Sequence, residues 1–312
     1  MQGTQLHFAA WSSDEVEVRK LLDAGADVHA KTYSDNDMYL YGNGQTPLHA
    51  GMRGGCSHLV TRMLLDAGAD FSAKDDRGTT PLQLAWEPGS VRMLLEAGAE
   101  VNLKNEYGRT ALHDAGSVAT VRILLNGGAD ATLKDDEGAT PLHLVGSRFQ
   151  QGAPGGVAGE DSIRTIARML LDAGADADAK CDDGRTPMHC AARRGGAGLA
   201  LVRFLMAAGA DISSSTQGVT PLYDAARSGS EAMVRMLLDA GADGVVKSSE
   251  EMTPLDVALD LSHHEVAALL RAVARRRATC IAFAMGLQER LGAESPVGAL
   301  EPEVVRMVLE QV

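Results

Sequence analysis

The tetrapeptide Thr-Pro-Leu-His and its near copies begin at Thr4, Thr46, Thr80, Thr110, Thr140, Thr186, Thr220 and Thr253. A second phrase, Leu-Leu-Asp-Ala-Gly-Ala-Asp with small variations, follows each of the first seven, at Leu21, Leu64, Leu94, Leu124, Leu170, Leu205 and Leu237. The two phrases stay in phase at a spacing of ~33 residues, so one supersecondary unit is copied along the chain and must stack on its own copies. A single closed core has no such period. The search for function therefore turns from an active site to a surface.

The residues explain the unit. In Thr80-Pro81-Leu82 the Thr can cap a helix whose first turn holds Pro, where a missing N–H costs nothing. Ala85 keeps that helix narrow, with Leu82 and Leu84 as its larger apolar positions. Val91, Leu94 and Leu95, at i, i+3 and i+4, give the apolar stripe of a second helix, and Gly98 supplies the left-handed residue that ends it. Lys74–Thr79 reads as the exposed hairpin between one pair and the next. Such a pair is too small to bury its own core alone.

The period and the T-P-L-H-x-A signature resemble ankyrin repeats over roughly residues 1–270. The resemblance implies an all-α fold, an ankyrin-repeat solenoid of paired antiparallel helices with short β-hairpin fingers, in eight repeats. A helical module then occupies 271–312, as a cap or an F-box-like element. Hydrophobic residues at 45% suffice for a continuous core, and aromatics at 4% leave Leu, Val, Ala and Met to build it.

The formal charge of −13 argues against nucleic acid or an anionic membrane as partner. No apolar run is long enough to cross a bilayer. Met1-Gln2-Gly3-Thr4 does not begin a basic-then-apolar leader. An intracellular chain is expected, cytoplasmic or nuclear, and monomeric. Cys56, Cys181, Cys190 and Cys280 are few and irregularly spaced, as befits reduced thiols.

An Arg stands two residues before each Leu-Leu phrase: Arg19, Arg62, Arg92, Arg122, Arg168, Arg203 and Arg235. These form either a basic stripe or i,i+4 surface pairs, namely Arg19–Asp23, Arg62–Asp66, Arg92–Glu96, Arg168–Asp172 and Arg235–Asp239. The pairing reading neutralises the stripe, although acid-first order would be the better one.

The steps between successive Thr-Pro-Leu-His copies are 42, 34, 30, 30, 46, 34 and 33 residues. The two short steps have lost about one turn between their helices, around Trp86–Gly89 and Gly116-Ser117. The two long steps carry insertions, which a stack loops out to its surface. The first, Thr32–Asn43, contains Tyr33, Tyr39 and Tyr41, a recognition loop or a longer finger packed on its neighbour. The second, around Gln150–Gly159, is Gly-rich and flexible, with no Lys-Ser/Thr after it to make a phosphate loop.

No catalytic set can be named, and no metal or other cofactor is implied. His7, His49, His113, His143 and His189 share the fourth place of the repeat phrase, so their recurrence is structural. The resemblance implies that each hydrogen-bonds a neighbouring repeat. Gln83, Tyr223 and Asp256 replace them elsewhere, where weaker junctions are expected. His189–Cys190 and His263–His264 diverge around a helix and cannot chelate one metal unaided.

The resemblance places protein binding on a concave surface of finger tips and first-helix residues. Its tips would include Arg77, Tyr107, Arg109, Asp136, Asp183 and Arg185, with Tyr39 and Tyr41 from the first insertion. The helix floor would carry Met52, Arg53, Trp86, Arg193, Arg194 and Arg227. Trp86 is either an outward anchor or buried by the shortened turn.

After 263–270 the Gly-Ala-Asp phrase is missing and a helix runs on through Arg275-Arg276-Arg277, a nuclear address or the basic last turn of a cap. The final segment resembles the first helix of an F-box, whose Leu-Pro-x-Glu-x-x-x-x-Ile-Leu pattern docks on the Skp1 adaptor of cullin ubiquitin ligases. Leu300, Pro302, Val304, Val305, Val308 and Leu309 would carry that contact. Pro302 falls one place late. A SOCS-box reading from Cys280, recruiting an elongin-type adaptor, has Arg276 where that family wants Leu. The alternative is that 281–312 covers the last repeat.

Overall fold

The structure, a computed structural model, describes residues 2–32, 44–146 and 159–276, with side chains from Gln5 onward. Most of both insertions and all of 277–312 therefore lie outside the described residues. Among those described are fifteen named α-helices, α1 (Gln2–Trp11), α2 (Glu15–Asp23), α3 (Pro47–Gly54), α4 (His58–Asp66), α5 (Pro81–Leu84), α6 (Pro88–Glu96), α7 (Ala111–Asp114), α8 (Val118–Asn126), α9 (Pro141–Leu144), α10 (Glu160–Asp172), α11 (Pro187–Arg193), α12 (Leu199–Ala207), α13 (Pro221–Ser228), α14 (Glu231–Asp239) and α15 (Pro254–Asp260). A further helix covers 264–276.

Two compact units form. The first is Met1–Ala191 with Ala200–Ala210, and the second is Ala192–Leu199 with the chain from Asp211 onward. In the first unit α1, α3, α5, α7 and α9 stack as one layer and α2, α4, α6, α8 and α10 as the other. The repeated phrases supply the seam. Leu48, Leu82, Leu112 and Leu142 from the first helices and Leu64, Leu94, Leu124 and Leu170 from the second are all at most 3% exposed. Each such burial is worth about 1.5–3 kcal/mol. The second Leu of each phrase, such as Leu95 or Leu125, is only half-buried.

In the second unit α13 packs on α14 and α15, and Leu222, Val234, Leu237 and Ala258 close its core. Gly229 ends α13 in the left-handed region (φ 72°) beneath the imidazole of His263. His263 Nε2 also lies 3.2 Å from Arg227 O. That ring is thus part of a helix cap.

The short steps shorten their first helices: α5 and α7 are one turn each, against eight residues in α3, and α9, which opens the longest step, is one turn as well. Glu87, with Pro88 at the first helical place, and Ser117 start the next helix early. The fingers are tight turns, and no strand occurs among the described residues. Thr216 and Val219 form an isolated antiparallel bridge.

Candidate functional site

Each finger is built by one side chain. The Asp75 carboxylate oxygen Oδ1 accepts from Arg77 N at 2.9 Å and Thr79 N at 2.8 Å, while Gly78 N donates to Asp75 O. Asn105 repeats this for Tyr107 N and Arg109 N, and Asp135 for Glu137 N and Ala139 N. Asp75 and Asp135 are consequently buried, not part of an exposed hairpin. Adjacent fingers are then linked, Glu106 N to Arg77 O, Asp136 N to Tyr107 O and Asp182 N to Glu137 O, each at 3.0 Å. The linkage requires glycine beneath it: Gly108 has φ 68°, and a Cβ there would sit 2.4 Å from Asp136 Oδ1. Lys104 Nζ and Lys134 Nζ add bonds of 2.6 and 2.7 Å to carbonyls of the next finger.

The repeat histidines fix the helices to these fingers. In α7 the His113 Nδ1 faces Thr110 N at 3.1 Å and Thr110 Oγ1 at 2.9 Å. Its Nε2 therefore carries the proton and donates to Ala139 O at 3.2 Å. His49 reaches Thr79 O, His143 reaches Arg185 O and His7 reaches Gln45 O in the same way. Burial is the main cause that holds His49, His113 and His143 below the ordinary histidine pKa, against the opposing pull of those carbonyls. They are neutral struts, not acid–base groups.

Gln83 corrects the expectation of a weak junction. Its Oε1 accepts from Thr80 N at 2.8 Å, and its Nε2 donates to Leu103 O at 2.9 Å and Arg109 O at 2.7 Å. The amide thus supplies the acceptor and donor that imidazole does. Asp256 at the far end only caps its own helix, from Thr253 N at 2.9 Å.

Of the expected partner contacts, Arg77, Tyr107 and Asp136 are exposed finger-tip residues of the first unit, Tyr107 at 52%. Arg109 is tied to the buried Asp135, Nε to Oδ2 at 3.1 Å. Arg185 is tied to Asp183. Cys181 stands where other fingers have Asp or Asn, and its thiol donates to Asp183 Oδ1 at 2.8 Å. Burial and that carboxylate push the Cys181 thiol up to about 12, which favours the protonated form that donates to Asp183. Burial likewise raises Cys56 to about 11.

Arg53 is exposed on α3, but Met52 is 1% exposed. This corrects its placement on the binding floor: Met52 stands four residues after Leu48 and shares its inward face. Trp86 is half-buried. Its indole lies on Gly55, where a Cβ would come 1.7 Å from Cζ2, and its Nε1 points to Arg53 O at 3.4 Å. In the second unit Arg193 and Arg227 are exposed and Arg194 half-buried. Tyr39, Tyr41, Leu300, Pro302, Val304, Val305, Val308 and Leu309 lie outside the described residues.

The expected i,i+4 arginine pairs do not form. Arg235 instead reaches back to Glu231, the acid-first order, and Arg203 meets Glu160 at 3.6 Å. Among the described residues no group of three or more His, Cys, Asp or Glu is placed to hold a metal. None of their helices is long and apolar enough to cross a membrane.

Parts of the chain are similar to known proteins. Ankyrin repeat and SOCS box protein 5 of Bos taurus is 40% identical over 83 residues, covering 27% of this chain and 22% of that protein. Ankyrin repeat and SOCS box protein 9 of Homo sapiens is 37% identical over 83 residues, 26% of this chain and 24% of that one. ADP-ribosylation factor GTPase-activating protein AGD4 of Arabidopsis thaliana is 35% identical over 92 residues, 29% and 11% respectively. The chain thus spans under a quarter of the length of these relatives. The family described as "Ankyrin repeats (3 copies)" matches residues 6–105, 87–147 and 157–248. With its helix pairs, linked fingers and histidine struts, the chain belongs to the ankyrin-repeat family.

Proposed function

We propose that this chain is a non-catalytic scaffold that binds a protein partner through the exposed finger tips and adjoining first-helix residues of its first unit. The observation that carries the reading is the finger ladder. Backbone bonds from Glu106, Asp136 and Asp182 hold successive tips in fixed register while Arg77, Tyr107 and Glu137 point to solvent. A preordered row of varied side chains binds without the entropy cost of ordering loops. Tyr107 is the central anchor, a large amphipathic ring at a rigid tip. Arg53 and Asp136 supply charged contacts.

The test is co-purification from cell extract with the intact chain and with Tyr107→Ala. Substitution should lower the affinity of a captured partner by ~1–2 kcal/mol with helicity unchanged. Unchanged recovery with Tyr107→Ala and Asp136→Arg together would overturn the assignment of this face.

A second reading is a substrate receptor that brings its partner to a cullin-type ubiquitin ligase through 280–312. Two relatives named as SOCS-box proteins favour it, together with the Leu300–Leu309 pattern. Val308→Asp should then abolish recovery of a Skp1- or elongin-type adaptor without altering the melt. If the segment is a cap, the same substitution buries an unpaired charge and costs several kcal/mol, on the order of 2–5.

A further inference from the structure

The buried histidines are divided unequally between the two units. His49, His113 and His143, at 0%, 4% and 0% exposure, all belong to the first. In the second unit the same place of the repeat phrase holds Tyr223 and Asp256, and its two histidines, His263 and His264, stand elsewhere.

Each strut of the first unit depends on an unprotonated Nδ1. Thr46 N donates to His49 Nδ1 at 3.2 Å, and Thr110 N and Thr140 N donate to those of His113 and His143 at 3.1 Å. The opposite nitrogen donates to a finger carbonyl, Thr79 O at 2.9 Å, Ala139 O at 3.2 Å and Arg185 O at 3.2 Å. A second proton on the ring would set N–H against N–H at every one of these caps. The Thr hydroxyl beside each Nδ1 can rotate to accept that proton, but the backbone amide cannot turn away. Asp75 and Lys31 face His49, Asp135, Asp114 and Arg109 face His113, and Lys134 and Asp135 face His143. Burial outweighs those carboxylates and opposes the charged ring in all three.

The second unit builds its junctions from other groups. Tyr223 N donates to Thr220 Oγ1 at 3.3 Å, and Asp256 accepts from Thr253 N at 2.9 Å and Thr253 Oγ1 at 2.7 Å. The bonds from Thr253 hold the Asp256 carboxyl below the usual carboxylate range, so it stays ionised through mild acid. His263 Nε2 faces the carbonyl of Arg227 at a helix end, and a charged imidazole still donates there.

We propose that mild acid opens the first unit and spares the second, so that the solenoid has a proton-sensitive half and a proton-insensitive half. The acting groups are His49, His113 and His143, each of which must give up its Thr amide to take a proton. Their stabilisation is complete above the unfolded histidine pKa of about 6.5 and is lost as pH falls through the folded value. Arg77 and Glu137 stand on the fingers that His49 and His113 hold. On the reading proposed above, acid would therefore release a bound partner; the test below needs no partner and does not rest on that reading.

Hydrogen exchange of the full chain, followed by mass spectrometry at about pH 7.5 and about pH 5 and corrected for intrinsic rates, measures the opening of each helix. Each histidine kept fully neutral in the fold contributes up to about tenfold per pH unit below 6.5. Opening of α6 and α8 should rise at least about tenfold at the lower pH, and that of α14 less than about threefold. The His49→Gln/His113→Gln/His143→Gln chain, with amides at the place where Gln83 already serves, should lose most of that rise. His143→Gln alone should reduce it, and replaces the triple variant if the latter lacks full helicity at the higher pH. An equal rise in α14 would overturn the proposal, as would no rise in α6 and α8 or an undiminished rise in the folded Gln chain.

Discussion

His113→Gln and His113→Ala should behave very differently, because Gln83 shows what an amide can do at this position. Removing the His113 ring strips Thr110 N of its acceptor and Ala139 O of one donor. Thr110 is 1% exposed, so water does not replace the imidazole. An orphaned buried N–H costs about 1–3 kcal/mol and a lost neutral hydrogen bond about 1, giving roughly 2–4 kcal/mol for Ala. Gln should restore both contacts, as Gln83 does with Thr80 N and Arg109 O, and cost under about 1 kcal/mol. Acid separates the two residues further. Burial depresses the folded-state pKa of His113, so the unfolded chain takes up the proton first. The stabilisation is complete above the unfolded pKa of about 6.5 and is lost as pH falls through the folded value. Each such histidine contributes a slope of at most about 1.4 kcal/mol per pH unit. His49 and His143 are shifted in the same direction, so His113→Gln should reduce, without abolishing, the slope below the unfolded value of about 6.5. Urea unfolding followed by circular dichroism at several pH values measures both quantities. A Gln variant as damaged as the Ala variant would refute the equivalence. An unchanged slope would refute titration of His113.

Gly55→Ala should destabilise the chain by more than the ~1 kcal/mol expected for a left-handed position, because its Cβ meets the Trp86 indole. Combining it with Trp86→Ala should recover part of the loss, and strict additivity in thermal melts would rule out the contact. Asp135→Asn should lose only the Arg109 ion pair, about 1 kcal/mol, whereas Asp135→Ala should also orphan Glu137 N and Ala139 N and cost roughly 2–4 kcal/mol. Hydrogen exchange at those two amides distinguishes the cases: protection unchanged in Asp135→Ala would exclude the turn-building role.

The period, the Thr caps and the structural role of the repeat histidines were legible because each recurs, and recurrence separates fold from accident; the second Leu of the phrase was placed on the buried stripe with the first, but Leu95 is only half-buried. Features that occur once or twice were harder. The one-turn helices α5 and α7 had signals in Glu87-Pro88 and Ser117, caps that start the second helix early and so truncate the first. Met52 was legible from its i,i+4 relation to Leu48, yet it was assigned by its place along the family pattern. The arginine pairs failed on direction: Arg before Asp is the weaker order, and Glu231 before Arg235 is the one that closes. Gln83 was misread as a missing histidine because sequence compares letters, whereas the junction needs one acceptor and one donor.

The position occupied by Arg77, Tyr107 and Glu137 carries a different logic from the rest of the repeat. Its backbone is fully committed, since the N–H is held by Asp75, Asn105 or Asp135 and the carbonyl receives the next finger. Its side chain is exposed in all three fingers and makes no bond on which the turn relies. A substitution there leaves the stack intact, so a basic, an aromatic and an acidic residue can occupy equivalent places. The preceding position is less free: Asp136 and Asp182 lie directly over Gly108 and Gly138, and Glu106 over Gly78. On the proposed reading, partner choice can vary at this residue in these three fingers without loss of fold, whereas in the next finger the equivalent Asp183 accepts from Arg185 N and Cys181 Sγ and is committed to the turn. A row such as Arg77, Tyr107, Glu137 is a combination that the repeat itself does not prescribe.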